Sequence, residues 1–285
     1  MNGYSTITEL RAIRFLNRNK IPFVLYINGG VVKKENIFKR KFKTKVISSA
    51  AKYLSPSKAA NDYLIYYGAK EENILNYPYS TFFERDVLKA PLTQEERNAI
   101  REKYNLPKGK IFVCASQFIE RKNNEQLLRH FKGRNEHLLL IGSGPLKQSY
   151  LDYISQNSMQ NVTILDFLTK KPLFEILKSC DVFVTLSKQD IYGHTTTEAL
   201  ANGLPVISSD RVVSSLKLIK NDFNGRLVNL DNDDEIEDAI NHITYELSAN
   251  AISVALENTI EKMAEAHKDI FMVLNNENNL HYNRN

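Results

Sequence analysis

The sequence predicts an α/β protein, with a Rossmann-type, doubly wound parallel sheet in its C-terminal part and a smaller α/β region before it. Three observations carry this reading. From Lys110 onward, strands of four to six mostly apolar residues alternate with helices of about ten, the pattern of a parallel sheet covered on both faces. At 285 residues the chain suits two domains of ordinary size. The charge is also uneven: residues 1–90 carry 16 Lys and Arg against 7 Asp and Glu, although the whole chain is only +5.

Taken in order, residues 5–19 place Ile7, Leu10, Ile13 and Leu16 at helical spacing, and the strand-like IPFVLYI and the turn NGG follow. VISSAAKYLS reads as a strand, Ser57 to Tyr67 as a helix ended by Gly68, and the residues before Pro78 as a short strand. TQEERNAIREKYN then forms a polar helix capped by Thr93 with Glu96 three residues on. The regular region runs IFVCAS, NEQLLRHF, HLLLIG, PLKQSYLDYISQN, NVTILDF, PLFEILKSC, DVFVTL, TTTEALANG and LPVISS, strand and helix in turn. Residues 232–274 read as further helices, and the Asn-rich LNNENNLHYNRN as a frayed polar tail. The domain division expected from this is 1–90, a linker helix and hinge over 91–109, 110–250, and a C-terminal helix and tail over 251–285.

Composition narrows the function. With 42% hydrophobic and 25% charged residues the chain is an ordinary globular protein. No apolar run reaches the roughly 18 residues of a membrane span, and the first twenty residues lack a secretory signal's apolar core, so a cytoplasmic location is expected. Cys114 and Cys180 sit in apolar segments and read as small buried side chains. The stretch KKENIFKRKFKTK, residues 33–45, mixes seven basic residues with Ile37, Phe38 and Phe42. It reads either as a solvated helix or loop with a few core anchors, or as a peripheral contact with an anionic membrane. No nucleic-acid-binding motif accompanies it. DNDD at 231–234 precedes EIEDAINHI and reads as a helix cap more than as a metal cluster.

A parallel sheet binds ligands at the carboxyl ends of its strands, which puts the loops after Ser116, Gly142, Phe167, Leu186 and Ser209 on one rim. In SQFIERKNN, Gln117 and Lys122 are within reach of a ligand, and Asn123 or Asn124 is available to cap the next helix; Arg121 and Lys122 also fit solvated charges. GSGP has only two glycines, so Gly142 and Gly144 permit a tight turn and Pro145 opens a helix, which disfavours a dinucleotide fingerprint. In DIYGHTTTEALANGLPVISSD, Gly193 permits a sharp turn after which the amides of His194, Thr195 and Thr196 open a helix, a seat for phosphate. Two readings of Thr195 and Glu198 stand at this point: a capping box without a ligand, or a ligand site in which Glu198 accepts from sugar hydroxyls under the loop of Asp190.

Read together, these segments resemble a family. Asp190 to Glu198 followed by ALANGLPVI is similar to the E-x7-E segment of retaining, nucleotide-sugar-dependent glycosyltransferases of the GT-B fold, group 1 or family 4-like. SQFIERKN resembles their phosphate loop, LLLIGSGP their l-x-i-x-G-x-G-P, and NDFNGRLV their d-g-x-N-G-x-l-V. IPFVLYINGG, YLSPSKAANDYL and YYGAKEENILNYPYS resemble the second half of the family's N-terminal, acceptor-side domain, which would make that domain shortened here.

The resemblance implies a GT-B-like fold and transfer of a sugar from a nucleotide-sugar donor to a saccharide or lipid-linked acceptor, with retained anomeric configuration, in cell-surface polysaccharide biosynthesis. It implies Glu198 on the ribose, Asp190 on the donor sugar, Lys122 on the diphosphate with Gln117 where an arginine is expected, and Phe167 and Leu168 beside the base. Asp190, Glu198 and Lys122 are thus the catalytic candidates. Gln117, Lys122, Gly142, Phe167, Leu168, Gly193, His194, Thr195, Thr196 and Glu198 are the donor-binding candidates. No metal or other cofactor is expected. Where the family carries a histidine near the donor sugar, this chain offers Asn28, Gly29 and Gly30. The alternative is a non-catalytic subunit that binds nucleotide sugar or a partner enzyme; a shortened first sheet would expose edges that a partner chain could cover.

Overall fold

A computed structural model describes residues 1–32 and 34–282, with side chains to residue 275. Lys33, the first residue of the basic stretch, lies outside the described residues. The chain divides into two compact units, Met1–Ser80 with the segment from Asn258 onward, and Thr81–Glu257.

The first unit contains α1 (Ile7–Arg18), β1 (Val24–Tyr26), α2 (Ile37–Ile47), β2 (Lys52–Ser55), α3 (Lys58–Tyr66) and β3 (Ile74–Asn76). Its sheet is parallel in the order β1-β2-β3, and Asn2 bridges Tyr26 in the same sense. Thr6 and Glu9 form a full capping box at the start of α1, and Ser57 caps α3 through its hydroxyl. The core gathers Ile13, Leu25, Ile47, Tyr53, Leu64 and Tyr67. The strand expected from Val46 is corrected. Val46 and Ile47 are the buried end of α2, and the strand starts at Lys52. Two adjacent apolar residues satisfy a helix face as readily as a strand.

The second unit begins with α4 (Gln94–Lys103), capped by Thr93 and Glu96 as expected. It continues β4 (Ile111–Ala115), α5 (Asn124–Phe131), β5 (His137–Ile141), α6 (Lys147–Gln156), β6 (Val162–Leu165), α7 (Lys170–Ser179), β7 (Val182–Thr185), α8 (His194–Ala201), β8 (Val206–Ser209), α9 (Val213–Leu218), β9 (Gly225–Val228), α10 (Asp233–His242) and α11 (Ser248–Leu256). The six strands are all parallel in the order β6-β5-β4-β7-β8-β9, a doubly wound sheet whose direction of winding reverses between β4 and β7. The period of two divides each strand between the faces: Ile111, Val113 and Ala115 enter one core, Phe112 and Cys114 the other. Both cysteines are buried, and desolvation pushes their thiols up, to about 11 for Cys114 and about 12 for Cys180, so neither is a nucleophile at neutral pH. Asn232 caps α10 by accepting from the Glu235 amide, the role read for DNDD.

α12 (Ile260–Tyr282) belongs to the first unit. The stretch from Leu274, read as a frayed tail, is helical to Tyr282, and residues 283–285 lie outside the described residues. The stretch 91–109, read as linker and hinge, is part of the second unit, and the physical reason is a buried ion cluster. Asp181, just before β7, accepts from Arg97, from Arg101 at 2.8 Å and from the Ile111 amide at 2.7 Å, and Arg101 also donates to the Ser179 carbonyl. Arg97 stacks on Tyr245, 3.9 Å from the ring centre. All three charged side chains are at most 10% exposed. α4 is thereby fastened to the amino ends of β4 and β7.

Removing one partner of such a cluster leaves an uncompensated buried charge. Asp181→Ala is expected to lower the stability of the second unit by about 3–5 kcal/mol, read from its chemical denaturation midpoint. A loss below about 1 kcal/mol contradicts the assignment of this cluster as the anchor of α4.

Candidate functional site

Loops from four strand ends meet where the sheet reverses. After β4 the chain turns inward at Phe118, fully buried, and the loop is zipped to the one after β5: the Phe118 amide donates to the Ser143 carbonyl at 2.8 Å, and the Leu146 amide to the Phe118 carbonyl at 3.0 Å. This closeness requires glycine. A Cβ on Gly142 would stand 1.9 Å from the Ser116 carbonyl oxygen, and both Gly142 and Gly144 have φ +152°. The Gly142 amide is itself used, donating to the Leu165 carbonyl at 3.0 Å. Gly142 therefore shapes the floor of the site by close approach.

Asn123 follows a short 3-10 turn over Glu120–Lys122 and adopts φ +57°, a conformation asparagine tolerates. Its side chain does not cap α5; it donates to the Leu186 carbonyl at 3.0 Å, tying the β4 loop to the β7 loop. The Lys188 amide donates to the Arg121 carbonyl, and the Arg121 guanidinium to the Gln189 carbonyl at 2.7 Å. These bonds deliver Asp190 to Lys122, with which it forms an ion pair, and to within 3.6 Å of Arg121. Lys122 is 11% exposed at its side chain, so it is not the solvated charge that its sequence setting also allowed. From the other side, the Asp190 amide donates to the Arg211 carbonyl and the Asp190 carbonyl accepts from the Val213 amide.

Gly193 is the N-cap of α8, at φ +82°. A Cβ there would meet Val212 at 2.6 Å, so only glycine turns the chain into the helix this close to its neighbour. The capping box is absent, because Thr195 lies inside the helix and no side chain caps it. Glu198 is accordingly beyond the first turn and lines the cavity. Thr196 is fully buried, its hydroxyl 3.3 Å from that of Ser215 and its amide donating to the Gly193 carbonyl, so it is not among the groups facing the site.

The resulting cavity of about 710 Å³ is lined by nine of the candidates: Gln117, Lys122, Gly142, Phe167, Leu168, Asp190, His194, Thr195 and Glu198. Gly193 and Thr196 are not in the lining. Arg121 and Lys170 are, and sequence reading missed both as site residues. The signal for Lys170 was its place at the start of the helix that follows the rim segment already singled out at Phe167. Phe167 is 72% exposed and Leu173 adds apolar surface, which gives one end of the cavity the character of a platform for a flat ring. The other end holds Lys122, Arg121 and the start of α8, whose first-turn amides and partial positive charge suit an anion.

Burial raises the Glu198 carboxyl above its ordinary pKa, with Lys170 pulling the opposite way. Burial also lowers the His194 imidazole, opposed by Asp190, which favours the neutral ring at pH 7. This arrangement can hold a molecule with a flat apolar end, adjacent hydroxyls and a polyanionic centre.

A family model for glycosyl transferases group 1 matches residues 96–251. The chain belongs to the glycosyl transferases group 1 family. An uncharacterized glycosyltransferase of Methanocaldococcus jannaschii, MJ1059, is 31% identical over 125 residues, 42% of this chain and 29% of the relative. The O-antigen biosynthesis glycosyltransferase WclY of Escherichia coli is 25% identical over 158 residues, 54% of this chain and 42% of the relative. The chain spans between 29% and 59% of the length of the curated relatives it matches. Among solved structures, Anabaena Alr3699/HepE in complex with UDP and glucose aligns over 94% of this chain and 75% of its own, with TM-score 0.75 and 16% identity. Sucrose-phosphate synthase from Thermosynechococcus elongatus aligns over 92% and 70%, with TM-score 0.73 and 18% identity. The fold of this group 1 chain is that of the GT-B glycosyltransferases.

The raised Glu198 pKa has a stability consequence. The folded protein holds this proton more tightly than the unfolded chain, so the contribution is present at low pH and lost as pH rises through the folded pKa. Glu198→Gln is expected to melt above the wild type at pH 8, with the difference closing as pH falls below the usual carboxylate range. Equal melting temperatures at pH 8, or a lower one for the variant, contradict the desolvated environment.

Proposed function

We propose that this chain transfers a sugar from a nucleotide-sugar donor to a saccharide or lipid-linked acceptor, with retention at the anomeric carbon, in the assembly of a cell-surface polysaccharide. The observation that supports this reading is the cavity at the sheet reversal, where Lys122, Arg121, the start of α8 and Glu198 line one space of about 710 Å³. In the proposal the base lies against Phe167 and Leu168, and the ribose hydroxyls donate to Glu198. The diphosphate takes the cationic end, and the donor sugar reaches Asp190. The relative solved with UDP and glucose, and the relative of O-antigen biosynthesis, support the donor class and the setting.

In the chemical step the bond from the anomeric carbon to the β-phosphate oxygen breaks. The acceptor oxygen attacks from the same face, and its proton passes to the departing phosphate. Negative charge grows on that phosphate, and the fixed positive groups beside it lower the barrier. Gln117 donates a hydrogen bond without charge, so Lys122 and Arg121 carry more of this stabilisation. Positive charge from side chains and the helix start serves at the leaving group, and a metal ion is not part of the proposal.

Lys122→Ala is expected to reduce turnover of a radiolabelled nucleotide-sugar by about 10²–10³-fold, as for loss of one donor to a developing anion. Glu198→Ala is expected to weaken nucleoside diphosphate binding by about tenfold or more in calorimetry, the size of a charge-assisted hydrogen bond. Turnover should persist in a chelator. Unchanged binding in Glu198→Ala rejects the site, and loss of turnover in the chelator rejects the metal-free step. Tight nucleoside diphosphate binding with no turnover of any donor supports the subunit reading over the enzyme.

A further inference from the structure

The cavity is lined by one titratable ring that the transfer step does not use. His194 is the first residue of α8, directly after the Gly193 turn, and it lines the same space as Lys122, Asp190 and Glu198. Its backbone is held from both sides. The Ser214 amide donates to the Tyr192 carbonyl at 2.8 Å, the Ser214 hydroxyl to the Gly193 carbonyl at 3.1 Å, and the Thr197 hydroxyl to the His194 carbonyl at 2.7 Å. The imidazole lies beside the buried Tyr192 ring, with 5.5 Å between centres, and the residue as a whole stays exposed. The side chain is thus fixed at its root and open to a ligand.

Its surroundings favour a charged ring only when an anion is present. Desolvation holds the imidazole below its ordinary range, with Asp190 pulling it up and Lys122 pushing it further down. The start of a helix, with its partial positive charge, is also a poor place for a cation. The loop after β4 lines the cavity with Arg121, Lys122 and the neutral Gln117, and Asp190 offsets one of the two cations. The loop after β5 adds only the uncharged Ser143, Gly144 and Pro145. α7 adds Lys170, 2.6 Å from Asp86, and α8 adds Glu198, four residues beyond His194 on the same helix face. The segment after β8 brings Arg211, held by Asp231 at 2.5 Å, and α9 has one charged residue, Lys217. A diphosphate brings more negative charge than the remaining cation can match. Among the residues lining the cavity, His194 alone can gain a positive charge near neutral pH.

We infer that the His194 side chain is a conditional cation of this site, taking up a proton as a nucleoside diphosphate binds and donating an N–H to a phosphate oxygen. The inference rests on the reading of this cavity as the donor site. In the transfer step the imidazolium keeps its proton, because the acceptor's own proton goes to the departing phosphate. Its charge adds to that of Lys122 and Arg121 as the bond to the anomeric carbon breaks. The proton returns to solvent when the nucleoside diphosphate leaves. Because the complex holds more protons than its separate parts, the affinity owed to His194 grows as pH falls through the imidazole pKa of the complex and levels off below that of the free protein.

The test is calorimetric titration of the full chain with UDP, GDP and ADP at pH 7, in two buffers of different ionisation enthalpy. With whichever nucleotide binds, the wild type is expected to take up about half a proton or more beyond the uptake of His194→Asn. That comparison cancels contributions from the nucleotide and from Glu198. His194→Asn is also expected to bind about tenfold more weakly than the wild type at pH 6, the size of a charge-assisted hydrogen bond, with the ratio shrinking at pH 8.5. His194→Arg, a permanent cation, is expected to bind at pH 8.5 at least as tightly as the wild type and without the extra uptake. Equal proton uptake in the wild type and His194→Asn overturns the inference and leaves the donor site standing, as does an affinity ratio that does not change with pH. Failure of all three nucleotides to bind overturns the donor site and this inference with it.

Discussion

The site depends on the Asp190 carboxylate and the two cations that meet it. Asp190 lies on the loop after β7, yet its backbone is bonded to the segment of Arg211 and Val213 after β8, and its carboxylate to Lys122 after β4. One residue therefore fixes three loops that come from three strands. The contrast with Asp181, at the opposite end of β7, is instructive. Asp181 is closed off by two arginines and a backbone amide, an arrangement that anchors a helix and has no room for a ligand. Asp190 has a comparable pair of cations but opens onto a cavity, so an incoming anion can compete for Lys122 and Arg121. The same side chain gives structure at one end of the strand and a poised site at the other.

The strands β4, β5, β7 and β8 were legible because each is a run of mostly apolar residues largely buried on both faces and bounded by turn residues, and the half-buried edge strand β6 was legible from its apolar run alone. β9 was not. GRLV is short and half exposed, and it pairs beside β8 because Gly225 lets the Val206 carbonyl approach a position where a Cβ would lie 2.1 Å away, a tertiary fact no local pattern carries. The helix α2 was obscured for a related reason: its outward apolar residues break the usual division between a polar and a buried face.

Within the site, the sharp turn into α8 was readable from Gly193 and the threonines that follow. The choice between a capping box and a ligand site was not. It turns on Gly193 being the N-cap, which moves Thr195 into the helix and leaves Glu198 facing the cavity. Arg121 and Lys170 were hidden because charges in loops and at helix starts are usually solvated, and only the fold brings them to the cavity that Lys122 also lines. Asn123 shows the reverse case. Its residue type suggested a cap, whereas its positive φ turns the side chain toward Leu186 and makes it a tie between loops.

The most direct measurement is a crystal structure of the protein grown with a nucleoside diphosphate. The β-phosphate is expected within hydrogen-bonding distance of the Thr195 amide and of Lys122, with Lys122 drawn off Asp190 and the ribose hydroxyls on Glu198. A diphosphate bound away from the start of α8, or bound there with Glu198 making no contact to the ribose, would contradict the donor site described for this chain.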